Sequence, residues 1–136
     1  MRQYREMHYT MVSPDDWPWK NFTPKEIACQ GTGLILIDPD FMDKLQAFRE
    51  MTGVPFEPNS AYRSESHNNA VGGVKNSYHR KGRACDVPIK KGMTREIIKE
   101  NAAKAGFTGF GDYHTFVHID TGHKRNWDKR NWDKRN

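Results

Sequence analysis

Two short stretches of this chain hold the residue types from which a metal centre is built. The first runs Ser77-Tyr78-His79-Arg80-Lys81-Gly82-Arg83-Ala84-Cys85-Asp86. A histidine and an aspartate lie seven residues apart in it, and a fold-back at Gly82 brings them toward one another. Asp86 sits in the apolar run Ala84-Cys85-Asp86-Val87-Pro88-Ile89, where an unpaired carboxylate is costly to bury, so a cation is expected against it. The second stretch is Phe116-Val117-His118-Ile119-Asp120. Strand alternation puts Phe116, His118 and Asp120 on one face and Val117 and Ile119 on the other. Three ligands drawn from His and Asp, with a fourth position open to water, compose a catalytic zinc site. Taken singly, each histidine is more often a hydrogen-bonded structural residue than a ligand; their concurrence on short strands brings the metal reading level with the structural one.

Several elements must position these residues. Thr23-Pro24-Lys25-Glu26 combines an N-cap, a proline at the first helical position and a capping-box glutamate, and predicts a short helix through residue 29. Asp38-Pro39 opens a second helix in which Phe41, Leu45 and Phe48 share a face until Gly53 ends it. Thr94 caps a third, with Ile97, Ile98, Ala102 and Ala105 apolar and Gly106 as its stop. Strands are expected over 54–60, 84–89 and 116–120. Helices come first and short strands cluster late, which predicts an α+β fold with a small antiparallel sheet. Residues 64–77, rich in Asn, Gly and Ser, read as a long loop of the kind that carries function.

The whole-chain quantities bound the rest. With 136 residues the chain is one domain's worth of material, and its longest apolar run, Leu34-Ile35-Leu36-Ile37, falls far short of the roughly 20 residues of a spanning helix. Seven Phe and five Tyr at regular apolar spacing supply a small core and argue against disorder. The first residues, Met1-Arg2-Gln3-Tyr4-Arg5-Glu6, lack the apolar stretch of a secretory signal, so the expectation is cytoplasmic synthesis with release by other means. Of the net charge of +5, a share of +4 falls in residues 124–136, and the globular part shows no nucleic-acid face. That end is an internal repeat, Arg125-Asn126-Trp127-Asp128-Lys129 followed by Arg130-Asn131-Trp132-Asp133-Lys134. The organisation expected is an N-terminal arm over 1–20, a domain over 21–122 and a basic tail over 123–136, in a monomer. Cys29 and Cys85 fit no zinc spacing and read as buried free thiols.

The ordered set Ser77-x-His79-x-x-Gly82-x-Ala84-x-Asp86, followed by a His118-x-Asp120 strand, resembles the metal motif of the zinc D-Ala-D-Ala carboxypeptidase family, peptidoglycan peptidases of the hedgehog/DD-peptidase fold. Upstream, Ser60-Ala61-Tyr62-Arg63-Ser64 and His67-Asn68-Asn69-Ala70-Val71-Gly72-Gly73 are similar to the segment before that motif in short, often phage-encoded members, and Gly106-Phe107-Thr108-Gly109-Phe110-Gly111 fits the same branch. The resemblance covers residues 21–122. It implies Zn2+ held by His79, Asp86 and His118, and a substrate carboxylate or carbonyl held by Arg63, whose planar two-pronged donor suits that task. Ser77 is implied in substrate binding, with a turn-capping role as the alternative.

One position departs from the family pattern. Many members carry an acidic general base three residues before the last histidine ligand, where this chain has Thr115. Asp112, six residues before His118, ranks first as a substitute; Asp120 is second, with orientation of the His118 imidazole as its other role; His114 is third. The activity implied is hydrolysis of a peptide bond in peptidoglycan stems or cross-links, carboxypeptidase-like or endolysin-like, at a wall reached by phage-type lysis or from a virion. A non-catalytic zinc module of the same fold is the second reading, and a nucleic-acid binder acting through the tail is the weakest.

Overall fold

The computed structural model describes residues 5–130. Strand β1 (Met7–His8) is followed by two 3-10 turns, Tyr9–Met11 and Pro14–Asp16, and then by helix α1 (Pro24–Ile27). Strand β2 (Leu34–Ile35), helix α2 (Pro39–Thr52) and helix α3 (Glu65–Ala70) come next, then a 3-10 turn at Tyr78–Lys81 and strand β3 (Ala84–Pro88). Helix α4 (Arg95–Ala105) precedes strands β4 (Gly109–Asp112), β5 (Phe116–Asp120) and β6 (Arg125–Asp128). The class is α+β, as the order of helical and strand signals predicts.

The helix boundaries follow their caps. Thr23 and Glu26 form the reciprocal capping box of α1, and Asp38 and Thr94 accept from the backbone of Phe41 and Ile97 at the starts of α2 and α4. Gly53 and Gly106 end those helices in the left-handed conformation. The main sheet runs β3-β5-β4-β6. Its first three strands are antiparallel and β6 lies parallel to β4, so the sheet is mixed and not purely antiparallel.

Period-2 alternation divides that sheet by chemistry. Val87, Val117 and Ile119 are buried in one core with Phe41, Leu45 and Phe48 of α2 and Ile98 and Ala102 of α4. Edge-to-face ring contacts, Phe41 to Phe107 at 5.9 Å and Phe48 to Phe56 at 5.8 Å, tie the core to the chain between elements. The opposite sheet face carries Asp86, His118 and Asp120.

Four expectations are corrected. Residues 54–60 form no strand beyond a single bridge from Ser60 to Asp86, because Pro55 and Pro58 lack the N–H that a ladder needs. The expected loop over 64–77 contains α3, capped by Ser64. The expected arm is stitched to the body: β1 pairs with β2, Trp19 is buried, and its indole N–H donates to Asp43 at 2.8 Å. The boundary expected at 122–123 falls inside the sheet, since β6 pairs with β4 from Arg125 to Asp128. The second repeat copy, apart from Arg130, lies outside the described residues.

Candidate metal centre

Three elements bring His79, Asp86 and His118 together. His79 sits on the 3-10 turn that Ser77 caps, and its backbone N–H donates to Ser77 Oγ at 3.1 Å. The turn closes at Gly82 with φ 69°, where a Cβ would stand 2.5 Å from the Leu36 carbonyl oxygen, so glycine is required twice over. Asp86 and His118 are directly opposed partners across β3 and β5. His79 Nε2 lies 3.2 Å, and His118 Nδ1 3.0 Å, from the same oxygen, Asp86 Oδ1. One ligand atom from each of the three residues lies within 4.8 Å of the others, and all three residues are buried.

The outer ring nitrogens decide what this cluster can hold. His79 Nδ1 is 2.6 Å from the Ala61 carbonyl oxygen, and His118 Nε2 is 2.7 Å from Asp120 Oδ2. A carbonyl and a carboxylate oxygen only accept, so both outer nitrogens carry the hydrogen and both inner nitrogens present lone pairs to Asp86. Three acceptors thus converge with no donor among them, which suits a cation. Two imidazole nitrogens and one carboxylate oxygen, each histidine backed by an acceptor, form the donor set of a zinc site with room for a further ligand.

The same place attracts positive charge in the form of protons. Burial alone would raise the Asp86 carboxyl and lower His118, but with the inner nitrogens protonated the charge of His79 and the hydrogen bonds from His118 and His79 hold Asp86 well below the ordinary carboxylate range, and Asp120 and Asp86 raise His118. Protons on the inner nitrogens and a metal between them are thus alternatives that Asp86 attracts equally, and only the form with lone pairs turned inward can hold the metal. The Asp120 carboxyl, despite desolvation, is likewise held low by His118 and Arg125.

Other residues singled out in the sequence divide between this face and elsewhere. Arg63 lies beside the trio, with Nη2 3.5 Å from Asp86 Oδ2 and Nε donating to Ser60 Oγ at 3.0 Å. Ser77 lines the cleft, but its hydroxyl serves as the turn cap. Asp120 is fully buried with both oxygens engaged, the geometry of a group that orients His118. Asp112 is not at the site. It pairs with Val117, not His118, so its side chain leaves the other sheet face, where Arg95 Nη1 at 3.0 Å and Lys99 Nζ at 2.9 Å hold it. His114 is exposed in the turn between β4 and β5 and does not line the cleft.

The trio opens into a cleft of about 690 Å³ whose walls include Arg63, Val74, Tyr113, Phe116, His123 and Trp127. Tyr113 and Phe116 stack at 4.5 Å, and the Trp127 indole N–H donates to Tyr113 Oη at 3.1 Å. Tyr113, His123 and Arg125 are not distinguished by the sequence, and Trp127 stands out there only as the first Trp of the repeat, suited to capping the domain and not to lining a cleft. The available signal was the alternation of Arg125 and Trp127 just after the His118-x-Asp120 strand, which the charge and the repeat masked.

Comparison with known proteins bears on this geometry. The family model described as Peptidase M15 matches residues 20–120. Peptidoglycan L,D-endopeptidase MepK of Escherichia coli (strain K12) is 38% identical over 100 residues, covering 67% of this chain and 54% of that protein. The probable peptidoglycan L,D-endopeptidase MepK of Haemophilus influenzae is 35% identical over 101 residues, with the same two shares, 67% and 54%. The chain therefore spans about half the length of these relatives.

Proposed function

The chain belongs to the peptidase M15 family, and we propose that it is a zinc-dependent peptidase that hydrolyses a peptide bond in peptidoglycan. The observation that carries the proposal is the convergence of three buried acceptors, from His79, Asp86 and His118, at the floor of a cleft large enough for a peptide. The names of the relatives support an endopeptidase acting between an L- and a D-residue over a carboxypeptidase. Similarity to the short phage-type branch supports a wall attacked at lysis or from a virion as the setting. Among the described residues, no helix is long and apolar enough to cross a membrane.

His79 Nε2, Asp86 Oδ1 and His118 Nδ1 would hold the metal. When bound, zinc supplies Lewis acidity that polarises a carbonyl and acidifies a water. Arg63, on the cleft wall, offers guanidinium N–H groups to a substrate carbonyl or carboxylate. The stacked Tyr113 and Phe116 rings and Trp127 form an apolar wall that excludes water from one side of the peptide. Proton transfer needs an acceptor near neutral pH, and Thr115 is unsuited to it. Among the described cleft-lining residues, His123 is the one imidazole or carboxylate outside the metal set, and we assign it that task.

Purified peptidoglycan incubated with the protein, followed by mass spectrometry of the released muropeptides, tests the reading. The expected result is new fragments from one peptide linkage, abolished by a chelator and restored by zinc. Intact peptidoglycan in the presence of a zinc-loaded protein would instead favour a binding module of the same fold.

A further inference from the structure

A second arrangement is built on the sheet face beside the metal trio, and it comes from the segment that reads in sequence as a tail. Asp120 is wholly buried, and its two oxygens take four hydrogen bonds. Oδ2 accepts from His118 Nε2 at 2.7 Å and from Arg125 Nη2 at 2.8 Å; Oδ1 accepts from Arg125 Nη1 at 3.0 Å and from the Gly122 amide at 2.9 Å. A guanidinium gripping both oxygens of one carboxylate fixes its orientation as no ammonium can. The guanidinium is itself held between two rings, 5.0 Å from the Tyr78 centroid and 4.9 Å from that of Trp127. Trp127 leans on the His118 imidazole with ring centroids 5.0 Å apart.

Strand β4 supplies the room. A Cβ at Gly109 would stand 2.6 Å from Asp120 Cγ, and one at Gly111 would stand 2.5 Å from Trp127 Cζ2. Two glycines at alternate positions of one strand are thus the seats of the carboxylate and of the indole.

We propose that Arg125 is a positioning residue of the metal centre, acting through Asp120 to fix the ring angle and the Nε2–H tautomer of His118. The proposal rests on the zinc-peptidase reading above. The chain of contacts is short: Arg125 sets the Asp120 carboxylate, Asp120 sets the His118 N–H, and His118 then turns Nδ1 toward Asp86 Oδ1. Without the guanidinium, the Asp120 carboxylate is free to turn away, and the imidazole loses its defined approach to the cation.

The test must allow for the repeat. Residues 130–136 restate 125–131 residue for residue, so a five-residue slip would bring Arg130 to the place of Arg125. Every variant is therefore made in the full chain carrying Arg130→Gln, and that protein is the reference. Zinc affinity by chelator competition, the visible spectrum of the cobalt-substituted protein, and kcat and KM on a soluble peptidoglycan fragment are measured where circular dichroism shows each protein folded.

Arg125→Ala is expected to weaken zinc binding by about 10- to 100-fold, to alter the cobalt bands, and to lower kcat while KM stays within about twofold. Arg125→Lys keeps the charge and the stem between the rings, so it folds even if Arg125→Ala does not, and it shows a smaller loss of the same kind. Asp120→Asn reproduces the cobalt change, and adding Arg125→Ala to it changes little more. A lowered Tm with the zinc affinity and cobalt spectrum of the reference, in either Arg125 variant, overturns the positioning role and leaves the peptidase reading intact. A reference protein that binds no zinc overturns that reading and this proposal with it.

Discussion

At the scale of single residues, hydrogen-bond capacity separates ligands from bystanders more sharply than proximity in sequence. Asp112 and Asp120 are both near His118 in the chain, yet one faces Arg95 and Lys99 across the sheet and the other is saturated by His118, Arg125 and the Gly122 amide. Neither offers a free oxygen to a substrate, whereas His123 lines the cleft. His123→Ala is accordingly expected to keep its zinc and its fold and to lose about a hundredfold or more in turnover, the low end for a positioned proton carrier. Asp112→Asn is expected to keep turnover within about twofold while costing about 1 to 2 kcal/mol of stability, because two partly buried cations lose their partner. Zinc content, turnover and urea unfolding of the two variants settle it. Full turnover in His123→Ala with loss in Tyr113→Phe would move the proton to the phenol that also lines the cleft.

At the scale of elements, the caps were legible and the glycine-rich strand was not. Thr23, Asp38 and Thr94 each mark a helix start by a local rule, and β3 and β5 show in their apolar runs. Strand β4, Gly-Phe-Gly-Asp, has low intrinsic strand preference; its glycines answer to Asp120 and Trp127, contacts that no local window contains. For the same reason β6 read as charge and repeat. Gly111→Ala checks this: its methyl group meets the Trp127 ring, so β6 should be displaced, with about 1 to 3 kcal/mol lost and Trp fluorescence shifted to the red. An unshifted spectrum at native stability would show that β6 has slack. The arm is tied down at Tyr62, whose hydroxyl donates to Glu6 and accepts from Arg80 at 3.0 Å, with Arg80 also donating to the Arg63 carbonyl at 3.2 Å. Burial, then the Glu6 carboxylate, pushes the Tyr62 phenol up from 10.0 to about 12. A raised folded pKa means the protonated phenol is favoured by folding, so its stabilisation is full below pH 10.0 and fades as pH rises toward about 12. Urea midpoints of the native protein and Tyr62→Phe, compared at pH 9 and above pH 11, are expected to converge at the higher pH; a constant gap would remove the coupling (pH values chosen at about the two ends of that window).

At the scale of the whole molecule, the sequence reading placed a catalytic body between two appendages, and the structure dissolves both boundaries. Core burial extends back to Trp19, and the sheet extends forward to Asp128. The basic surplus after residue 123 is also less available than its count suggests, because Arg125 is committed to Asp120 and Arg130 to Asp128. Adhesion to an anionic envelope, the role a cationic tail suggests, is then a weaker reason for this segment than its service to the metal centre. The two reasons separate cleanly by truncation. A chain ended after His123 keeps His79, Asp86, His118 and His123 but loses Arg125 and Trp127, together with the parallel pairing of β6 on β4. A chain ended after Arg130 keeps Arg125, Trp127 and the pairing of β6 on β4. The shorter chain is expected to lose zinc affinity by at least about tenfold and to cleave soluble peptidoglycan fragments correspondingly poorly, since removing an outer partner of a metal-bound histidine costs that much elsewhere. The longer one is expected to match the full chain in both measurements, at low and at high salt. If the chain ended after His123 instead binds zinc and cleaves fragments as well as the full protein, β6 is an ornament of the sheet, and charge is the better account of the segment.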